Sequence, residues 1–303
     1  MSDMPTFPEF RELKLEDRDI LHPRLLDFQS RTSELTFVNL YIWRSYYGFR
    51  WSIYEDRLLI LAKPREGGES FMLPPVGPAS RRDVTHGALT WMRDEHGVEK
   101  PRIARAGQRL VDELGDDDAF HIEPTRDHFD YVYLTRDLDE MPGRDYSAKR
   151  NQINQFMRNY RFEYKAITPD MVGEVLELAE VWCQQRLCED DLSLQHELCG
   201  IEDVLNNYER LEVDGGAILI RDKVQAFALG ELLNERTAVV HVEKANPEFK
   251  GIYTLMNSIY AERWREDVEY INLEQDVGEP GLRRAKKAYH PDHMVEKFEI
   301  TLA

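Results

Sequence analysis

The chain has 303 residues, of which 39 are Lys or Arg and 57 are Asp or Glu, so its net charge is −18. Hydrophobic residues make up 42% of the chain, which is enough for a sizeable core, and the length suits two domains. The negative total repels phosphate and anionic lipid, which excludes a general nucleic-acid coat and a polybasic membrane-surface protein.

In the first half, apolar periodicity and breaker residues predict an alternating order of helices and strands. The order is a helix at 33–44, a hairpin of strands 51–54 and 58–63 turning at Glu55-Asp56, a strand at 71–73 and a helix at 80–95. It continues with a strand at 102–106, a short helix at 108–114, and strands at 120–123 and 131–134.

The second half predicts a similar order with stronger signals. Helices are expected at 146–160 and after Thr168-Pro169, where Thr caps and Pro opens the helix, and again at 201–212, 250–265 and 281–289. Strands are expected at 162–167, 217–220, 224–233, 237–242, 268–273 and 295–302. Asp214-Gly215-Gly216 and Asp222-Lys223 are predicted turns.

Two copies of one supersecondary order indicate an internal structural repeat, although the halves share no visible sequence identity. The polar stretch 135–146, with the breaker pair Pro142-Gly143, is the natural boundary between the copies. We therefore expect an α/β protein with mixed sheets flanked by helices, with domains at 1–138 and 139–303, the second carrying the site.

Three stretches, GRDYSAKRNQINQF (143–156), VHVEKANPEFKGIY (240–253) and YINLEQDVGEPGLRRAKKAYHP (270–291), resemble the C-terminal domain family of phosphatidylglycerol lysyltransferase, in particular its short, soluble bacterial members. The stretch Leu40-Tyr41-Ile42-Trp43 is also similar to those members. The resemblance covers nearly the whole chain. It implies two tandem GNAT domains (the acyl-CoA N-acyltransferase fold) and enzymes that move an aminoacyl group from aminoacyl-tRNA to an amine or hydroxyl.

Polar residues lie near the ends of two neighbouring predicted strands in the second half of the chain. His241 and Glu243 share one face of their strand, and Asn272 and Glu274 share one face of the next, because alternate residues of a strand point the same way. If these strands are parallel and diverge there, as in GNAT proteins, the four side chains line one cleft. We expect catalysis from Glu243, Glu274 and Asp276, and substrate binding by His241 and Asn272. A strand-end salt bridge is the competing interpretation of Glu243.

Two short basic stretches interrupt the acidic chain. Residues 144–161 hold five cations and one acid. In this stretch we expect Arg150 and Asn154 to bind substrate. Residues 283–287 hold four cations, and Arg283 and Lys286 are expected to bind a phosphate, a carboxylate or a tRNA acceptor end. The alternatives are an inter-domain contact and a solvated helix face whose cations favour the helix C-terminus.

The loop Asn246–Gly251 replaces the glycine-rich phosphate loop of acyl-CoA GNAT enzymes. It keeps one glycine, and the sequence assigns phosphate binding to Lys250 and Gly251, with close helix packing at Gly251 as the alternative. No metal-ligand spacing occurs among the nine histidines, so no metal is expected. No separate cofactor is expected, and the donor substrate is aminoacyl-tRNA or acyl-CoA.

Cys183, Cys188 and Cys199 are an odd number without a second closely spaced pair, which predicts reduced thiols. The N-terminus lacks a basic and apolar leader, and no apolar stretch reaches the ~18 residues of a spanning helix, so a cytoplasmic protein without an integral membrane segment is expected. The predicted function is aminoacyl or acyl transfer. A non-catalytic ligand-binding module and an acetyl-CoA-dependent N-acetyltransferase are the alternatives.

Overall fold

The computed structural model describes residues 4–64, 67–186 and 188–303. Up to residue 130, the strands of the described part are β1 (Arg11–Glu12), β2 (Arg50–Tyr54), β3 (Arg57–Ala62), β4 (Phe71–Met72), β5 (Arg102–Gly107) and β6 (Phe120–Pro124). The α-helices are α1 (Arg18–Asp27), α2 (Phe37–Tyr47), α3 (Arg82–Asp94) and α4 (Gln108–Leu114). The first-half prediction is thereby confirmed in its order.

After residue 129 the described strands are β7 (Asp130–Leu134), β8 (Glu163–Ala166), β9 (Asp214–Ile220), β10 (Lys223–Asn234), β11 (Thr237–Ala245), β12 (Tyr270–Asn272), β13 (His293–Val295) and β14 (Lys297–Leu302). The helices are α5 (Thr135–Glu140), α6 (Ser147–Asn159), α7 (Val172–Gln185), α8 (Leu192–Asn206), α9 (Tyr208–Leu211), α10 (Ile252–Trp264) and α11 (Pro280–Lys287). The helix predicted at 201–212 begins earlier, at an Asp191 side chain that caps it, and is interrupted at Asn207.

The strands form two mixed sheets, with the order β1-β2-β3-β4-β5-β14-β6 in one and β13-β7-β12-β11-β10-β9-β8 in the other. Each sheet is mainly antiparallel with a parallel pair inside it, β4–β5 in the first and β11–β12 in the second. In the first sheet, Leu89 and Met92 of α3 pack on Ile103 and Ile300 of the neighbouring strands β5 and β14. The α/β prediction with mixed, helix-flanked sheets is confirmed.

The described residues divide into two compact units that are interleaved along the chain. The N-terminal unit contains the chain up to Asp130, together with Gln275–Glu279 and Met294–Ala303. The C-terminal unit contains Tyr131–Glu274 and Pro280–His293. The last strand, β14, therefore completes the first sheet, while β7 belongs to the second. The two-domain ranges expected from the sequence, divided after residue 138, do not include this exchange of segments.

Two of the predicted turns differ from the structure, and contacts with tyrosines explain the first. Gly215 and Gly216 lie inside β9 and not in a turn. A Cβ on Gly216 would overlap the Tyr164 ring, and one on Gly215 would lie 2.7 Å from the hydroxyl oxygen of Tyr208, so the glycines make room for tyrosines. The β9–β10 hairpin turns one residue earlier than predicted, at Arg221-Asp222, and both have left-handed φ angles of 54° and 61°.

The prediction of reduced thiols is also wrong for two of the three cysteines. Cys183, at the end of α7, and Cys188 form a disulfide with a Cα–Cα distance of 5.3 Å, while Cys199 on α8 is free and exposed. The end of α7 brings the pair within the usual disulfide range of Cα–Cα distances. An odd cysteine count does not exclude a bridge between two residues so close in sequence.

Candidate active site

The parallel pair β11–β12 creates the opening that positions the site in the C-terminal unit. The two strands pair from Thr237 with Tyr270 to Val239 with Asn272, where the described register ends. Beyond that point β11 continues beside β10 as far as Ala245 with Ala226. Polar side chains on β11 past Val239 therefore lie beyond the part of the strand that is paired with β12.

Glu243 is a half-buried carboxylate on β11 with one dominant hydrogen-bond partner. The Asn257 side chain on α10 donates its Nδ2 protons to both carboxylate oxygens, at 2.9 and 3.1 Å. Burial raises the pKa of Glu243 to about 7, although the Asn257 hydrogen bonds and the charges of Lys286 and Lys149 oppose the rise. The competing interpretation, a strand-end salt bridge with Lys244, does not describe this contact, since Lys244 pairs with Glu197 at 2.7 Å.

Lys149 is a second titratable group, whose charge acts on Glu243, and the sequence did not predict it as a site residue. Its Nζ lies 3.4 Å from the centroid of the Tyr289 ring, a cation–π contact. Burial lowers the pKa of Lys149 to about 8, while the negative charge of Glu243 acts in the opposite direction. Tyr289 donates a hydrogen bond to Thr254 Oγ1 at 3.4 Å, and burial raises the pKa of its hydroxyl, which keeps it protonated.

We define the Glu243 cluster as Glu243, Asn257, Lys149, Tyr289 and Lys286. Glu243 lies on β11, Lys149 on α6, Asn257 on α10 and Lys286 on α11, and Tyr289 follows α11. Lys286 contributes its charge to Glu243 and also donates a hydrogen bond to the backbone oxygen of Leu273. Its own carbonyl oxygen accepts from the Tyr133 hydroxyl at 2.8 Å. The cluster therefore holds a carboxyl and an ammonium that both titrate close to neutral pH.

A second polar cluster surrounds His241, two residues before Glu243 on β11. The imidazole lies between two carboxylates, with Nδ1 2.8 Å from Glu274 and Nε2 3.0 Å from Glu231. Its side chain is 1% exposed. Burial alone would lower its pKa, but the hydrogen bonds to Glu231 and Glu274 outweigh burial and raise the pKa of His241 to about 9. His241 is therefore an imidazolium at neutral pH.

Asn272 holds the backbone that presents Glu274. The fully buried Asn272 side chain accepts a hydrogen bond from the Glu274 backbone N–H at 2.7 Å, and Glu274 has a left-handed φ of 58°. A left-handed φ at a non-glycine residue costs free energy and persists where surrounding contacts hold it. The structure thus brings three predicted residues, His241, Asn272 and Glu274, into one network. Glu231 was not predicted, because it faces this network from β10.

Three other predicted residues have structural contacts or lie at the surface. Arg150 donates hydrogen bonds to the backbone oxygens of Met141 and Gly143, which tie α6 to the segment before it. Asn154 on α6 is exposed, and Arg283 on α11 is half-buried. Their predicted roles in substrate binding remain predictions.

The loop assigned to phosphate binding packs against α6. Gly251 has a φ of 93°, and a Cβ there would lie 2.9 Å from the backbone oxygen of Gln152. Thr254, in the first turn of α10, donates to the Gln152 side chain at 2.7 Å. Lys250 is exposed. The close approach of two helices therefore accounts for Gly251, and phosphate binding there remains a prediction.

Asp276 belongs to the N-terminal unit, whereas Glu243 and Glu274 belong to the C-terminal unit. Its side chain is fully buried, lies 3.4 Å from Arg126, and accepts the backbone N–H of Gly278 at 3.0 Å. These contacts stabilise the turn at 276–279, where the Glu279 N–H also bonds back to the Asp276 carbonyl oxygen. These contacts give Asp276 a structural role within the N-terminal unit.

The family model for the C-terminal domain of phosphatidylglycerol lysyltransferase matches residues 27–301. The chain belongs to this family. The match spans both halves, including Glu243 on β11 and Glu274 after the end of β12. Within the part of the chain that the structure describes, no helix is both long and apolar enough to cross a membrane.

Solved structures agree with this assignment. A conserved protein of unknown function from Bacteroides thetaiotaomicron is 31% identical, with 97% of this chain and 99% of that one covered and a TM-score of 0.89. L-PGS from Bacillus licheniformis is 12% identical, with 99% and 94% covered and a TM-score of 0.66. A tandem GNAT protein from the clavulanic acid biosynthesis pathway is 12% identical, with 97% and 98% covered and a TM-score of 0.50. The tandem GNAT fold is thereby confirmed.

One curated protein, the uncharacterized protein MYCGA3080 of Mycoplasmoides gallisepticum, is 19% identical over 172 residues. The match covers 56% of this chain and 55% of that protein, so the chain spans about half the length of the curated relative that it matches. Family and fold together support an acyl- or aminoacyltransferase-like GNAT protein.

Proposed function

We propose that this chain is an acyl- or aminoacyltransferase in which Glu243 takes the proton from an acceptor amine. The observation that carries the proposal is a half-buried carboxyl, with a pKa of about 7, on β11 beyond the point where its pairing with β12 ends. A general base acts best when its pKa lies near the working pH, because it is then both deprotonated and basic enough. An ordinary surface glutamate is a much weaker base.

The transfer needs no covalent enzyme intermediate. Glu243 accepts a proton from the acceptor ammonium, and the neutral amine attacks the carbonyl carbon of an activated ester or thioester. The new C–N bond forms as the C–O or C–S bond breaks, and the leaving oxygen or sulfur takes the proton from Glu243. The attacking nitrogen then loses its second proton to the freed Glu243 carboxylate, which passes it to solvent. An acceptor hydroxyl would react by the same route. Holding both reactants in the opening supplies most of the rate enhancement.

Lys149 supplies the positive charge that the proposed reaction requires. Attack on the carbonyl carbon places negative charge on its oxygen, and an ammonium in a partly dehydrated site stabilises that charge far more than one in water. Lys149 lies over the Tyr289 ring in the Glu243 cluster, so its position is restrained. Arg283 and Lys286 remain the proposed contacts for a donor phosphate or carboxylate.

An aminoacyl ester of RNA is the donor we favour over acyl-CoA. In a CoA-dependent GNAT site, a diphosphate would need the first turn of the helix that α10 represents here. That turn is packed against α6 through Gly251 and Thr254. The name of the family, phosphatidylglycerol lysyltransferase, also supports aminoacyl transfer. An acyl-CoA donor is the second candidate, and the binding measurements proposed below separate the two.

The test is consumption of donor ester in the presence of a mixture of primary amines. Total tRNA charged with labelled amino acids and, separately, acetyl-CoA serve as donors for the wild-type protein, Glu243→Gln and the matched control Glu177→Gln. Glu177 is exposed on α7. We expect amine-dependent consumption by the wild type and the control, and a loss of about 100-fold or more in Glu243→Gln. Equal rates in all three proteins would refute Glu243 as the base, and no consumption of either donor would leave a ligand-binding module as the better account.

A further inference from the structure

A groove of about 830 Å³ opens on the C-terminal unit, outside the Glu243 cluster. It is formed by the end of α6, the start of β8, the β9–β10 turn and the loop before α10. Its lining includes Met157, Tyr160, Arg161, Phe162, Arg221 and Phe249. The volume falls in the range of small-molecule sites, which are mostly apolar with a few polar groups that fix orientation.

The apolar walls of the groove are aromatic and held in place from behind. The rings of Tyr160 and Phe249 meet edge to face with centroids 5.1 Å apart. Tyr160 and Phe162 both pack on the fully buried Phe156, at 5.0 and 5.6 Å. Met157 on the rim is 57% exposed. Rigid aromatic side chains beside an exposed thioether suit a flat, unsaturated ring.

Two arginines, Arg161 and Arg221, line the groove together with the acids Glu163 and Asp222, and the two chain segments that carry them hold an excess of cations in a chain whose net charge is −18. Residues 157–165 hold three cations and one acid, and the turn at 221–223 holds two cations and one acid. The acid of the first segment, Glu163, is paired with Lys165 at 3.0 Å. Arg221 is exposed in the hairpin turn, where its backbone has a left-handed φ of 54°. Two arginines beside aromatic walls match a phosphate attached to a planar base.

We propose that this groove binds a nucleoside phosphate, with the base against Tyr160 and Phe249 and the phosphate on Arg161 and Arg221. The assignment of this nucleotide to the acyl donor rests on the proposed function. The same chemistry occurs at the 3′ end of an RNA and in coenzyme A. This phosphate contact is separate from the one proposed at Arg283 and Lys286, and it does not need the first turn of α10, which is covered by α6.

The experiment measures dissociation constants by isothermal titration calorimetry for adenosine, AMP, coenzyme A and a single-stranded ACCA oligoribonucleotide. The variants are Phe249→Ala, Arg161→Gln and Arg221→Gln, with Arg136→Gln as the matched control, because Arg136 is an exposed arginine on α5 that does not line the groove. Far-ultraviolet circular dichroism and melting temperature establish that each variant is folded.

We expect Phe249→Ala to weaken every probe about tenfold, since loss of one stacking partner is worth that much. Arg161→Gln and Arg221→Gln should weaken the phosphorylated probes about tenfold and leave adenosine unchanged. Tighter binding of the oligoribonucleotide identifies an RNA donor, and tighter binding of coenzyme A identifies a thioester donor; either result supports the groove.

No binding of any probe at millimolar concentration, or binding that these three variants do not change, would overturn the inference. Its failure is distinct from failure of the proposed function. Glu243→Gln is expected to keep wild-type affinity for AMP while losing transfer, because Glu243 does not line the groove. A protein that transfers acyl groups but shows no groove-dependent binding would retain the Glu243 chemistry without this site.

Discussion

Replacing Glu243 with Gln should stabilise the protein at alkaline pH, although it removes the proposed base. Folding raises the pKa of this carboxyl from 4.5 to about 7, so the folded state binds a proton more tightly than the unfolded state. The contribution of this carboxyl to the free energy of unfolding is fully present below pH 4.5, and it is lost as the pH rises through about 7. Above pH 7 the full cost of the buried charge is present, about 3 kcal/mol by the pKa difference. Partial exposure to water makes this an upper value.

Glutamine has the shape of the carboxylate but no charge, and its amide oxygen can still accept from Asn257. We therefore expect Glu243→Gln to exceed the wild type by about 1 to 3 kcal/mol at pH 8, and by nearly nothing at pH 5. The assay is denaturant unfolding followed by circular dichroism from pH 5 to 8.5. The charge of His241 is present in both proteins and cancels in the difference. A difference that does not change with pH, or a variant less stable at pH 8, would refute the assignment of a raised pKa.

Three further changes test separate contacts. Asn257→Leu removes two hydrogen bonds to Glu243, and a ¹³C-NMR titration of that carboxyl should show its pKa rising by about 1; an unchanged value would contradict the role of Asn257. Lys149→Met should lower the transfer rate about 10- to 100-fold and abolish the fall in rate expected above pH 8. If the rate of this variant still fell above pH 8 as in the wild type, Lys149 would not be the charge that stabilises the carbonyl oxygen. Gly251→Ala should destabilise the protein by about 1 to 3 kcal/mol in thermal unfolding, because φ is positive and α6 is too close. Gly173→Ala, in open space on α7, is its control and should stabilise slightly.

The elements of the C-terminal sheet could be predicted because their signals are local. β11 is rich in β-branched residues, and α10 carries apolar residues at helical spacing. Alternation along β11 also predicted that His241 and Glu243 share one face, and Glu243 is the residue on which the proposed chemistry rests. These inferences depend only on the geometry of one strand.

What could not be predicted depends on contacts between distant segments. Lys149 and Asn257 reach Glu243 from helices about 94 residues before and 14 residues after it, and no local pattern marks such partners. Gly215 and Gly216 were predicted to form a turn because glycine is common in turns. In the structure they lie in a strand, where the absence of a side chain leaves space for tyrosines from other elements. The exchange of β7 and β14 between the sheets leaves no periodicity in the sequence either.

The central claim is that Glu243 is the base for acyl transfer, and the pH dependence of single-turnover transfer tests it most directly. With the donor that supports turnover, the wild-type rate should rise through about pH 7, as Glu243 loses its proton, and fall above about pH 8, as Lys149 loses its charge. Glu243→Gln should abolish the rise and most of the rate. A rate that rises through pH 7 equally in Glu243→Gln would contradict the claim.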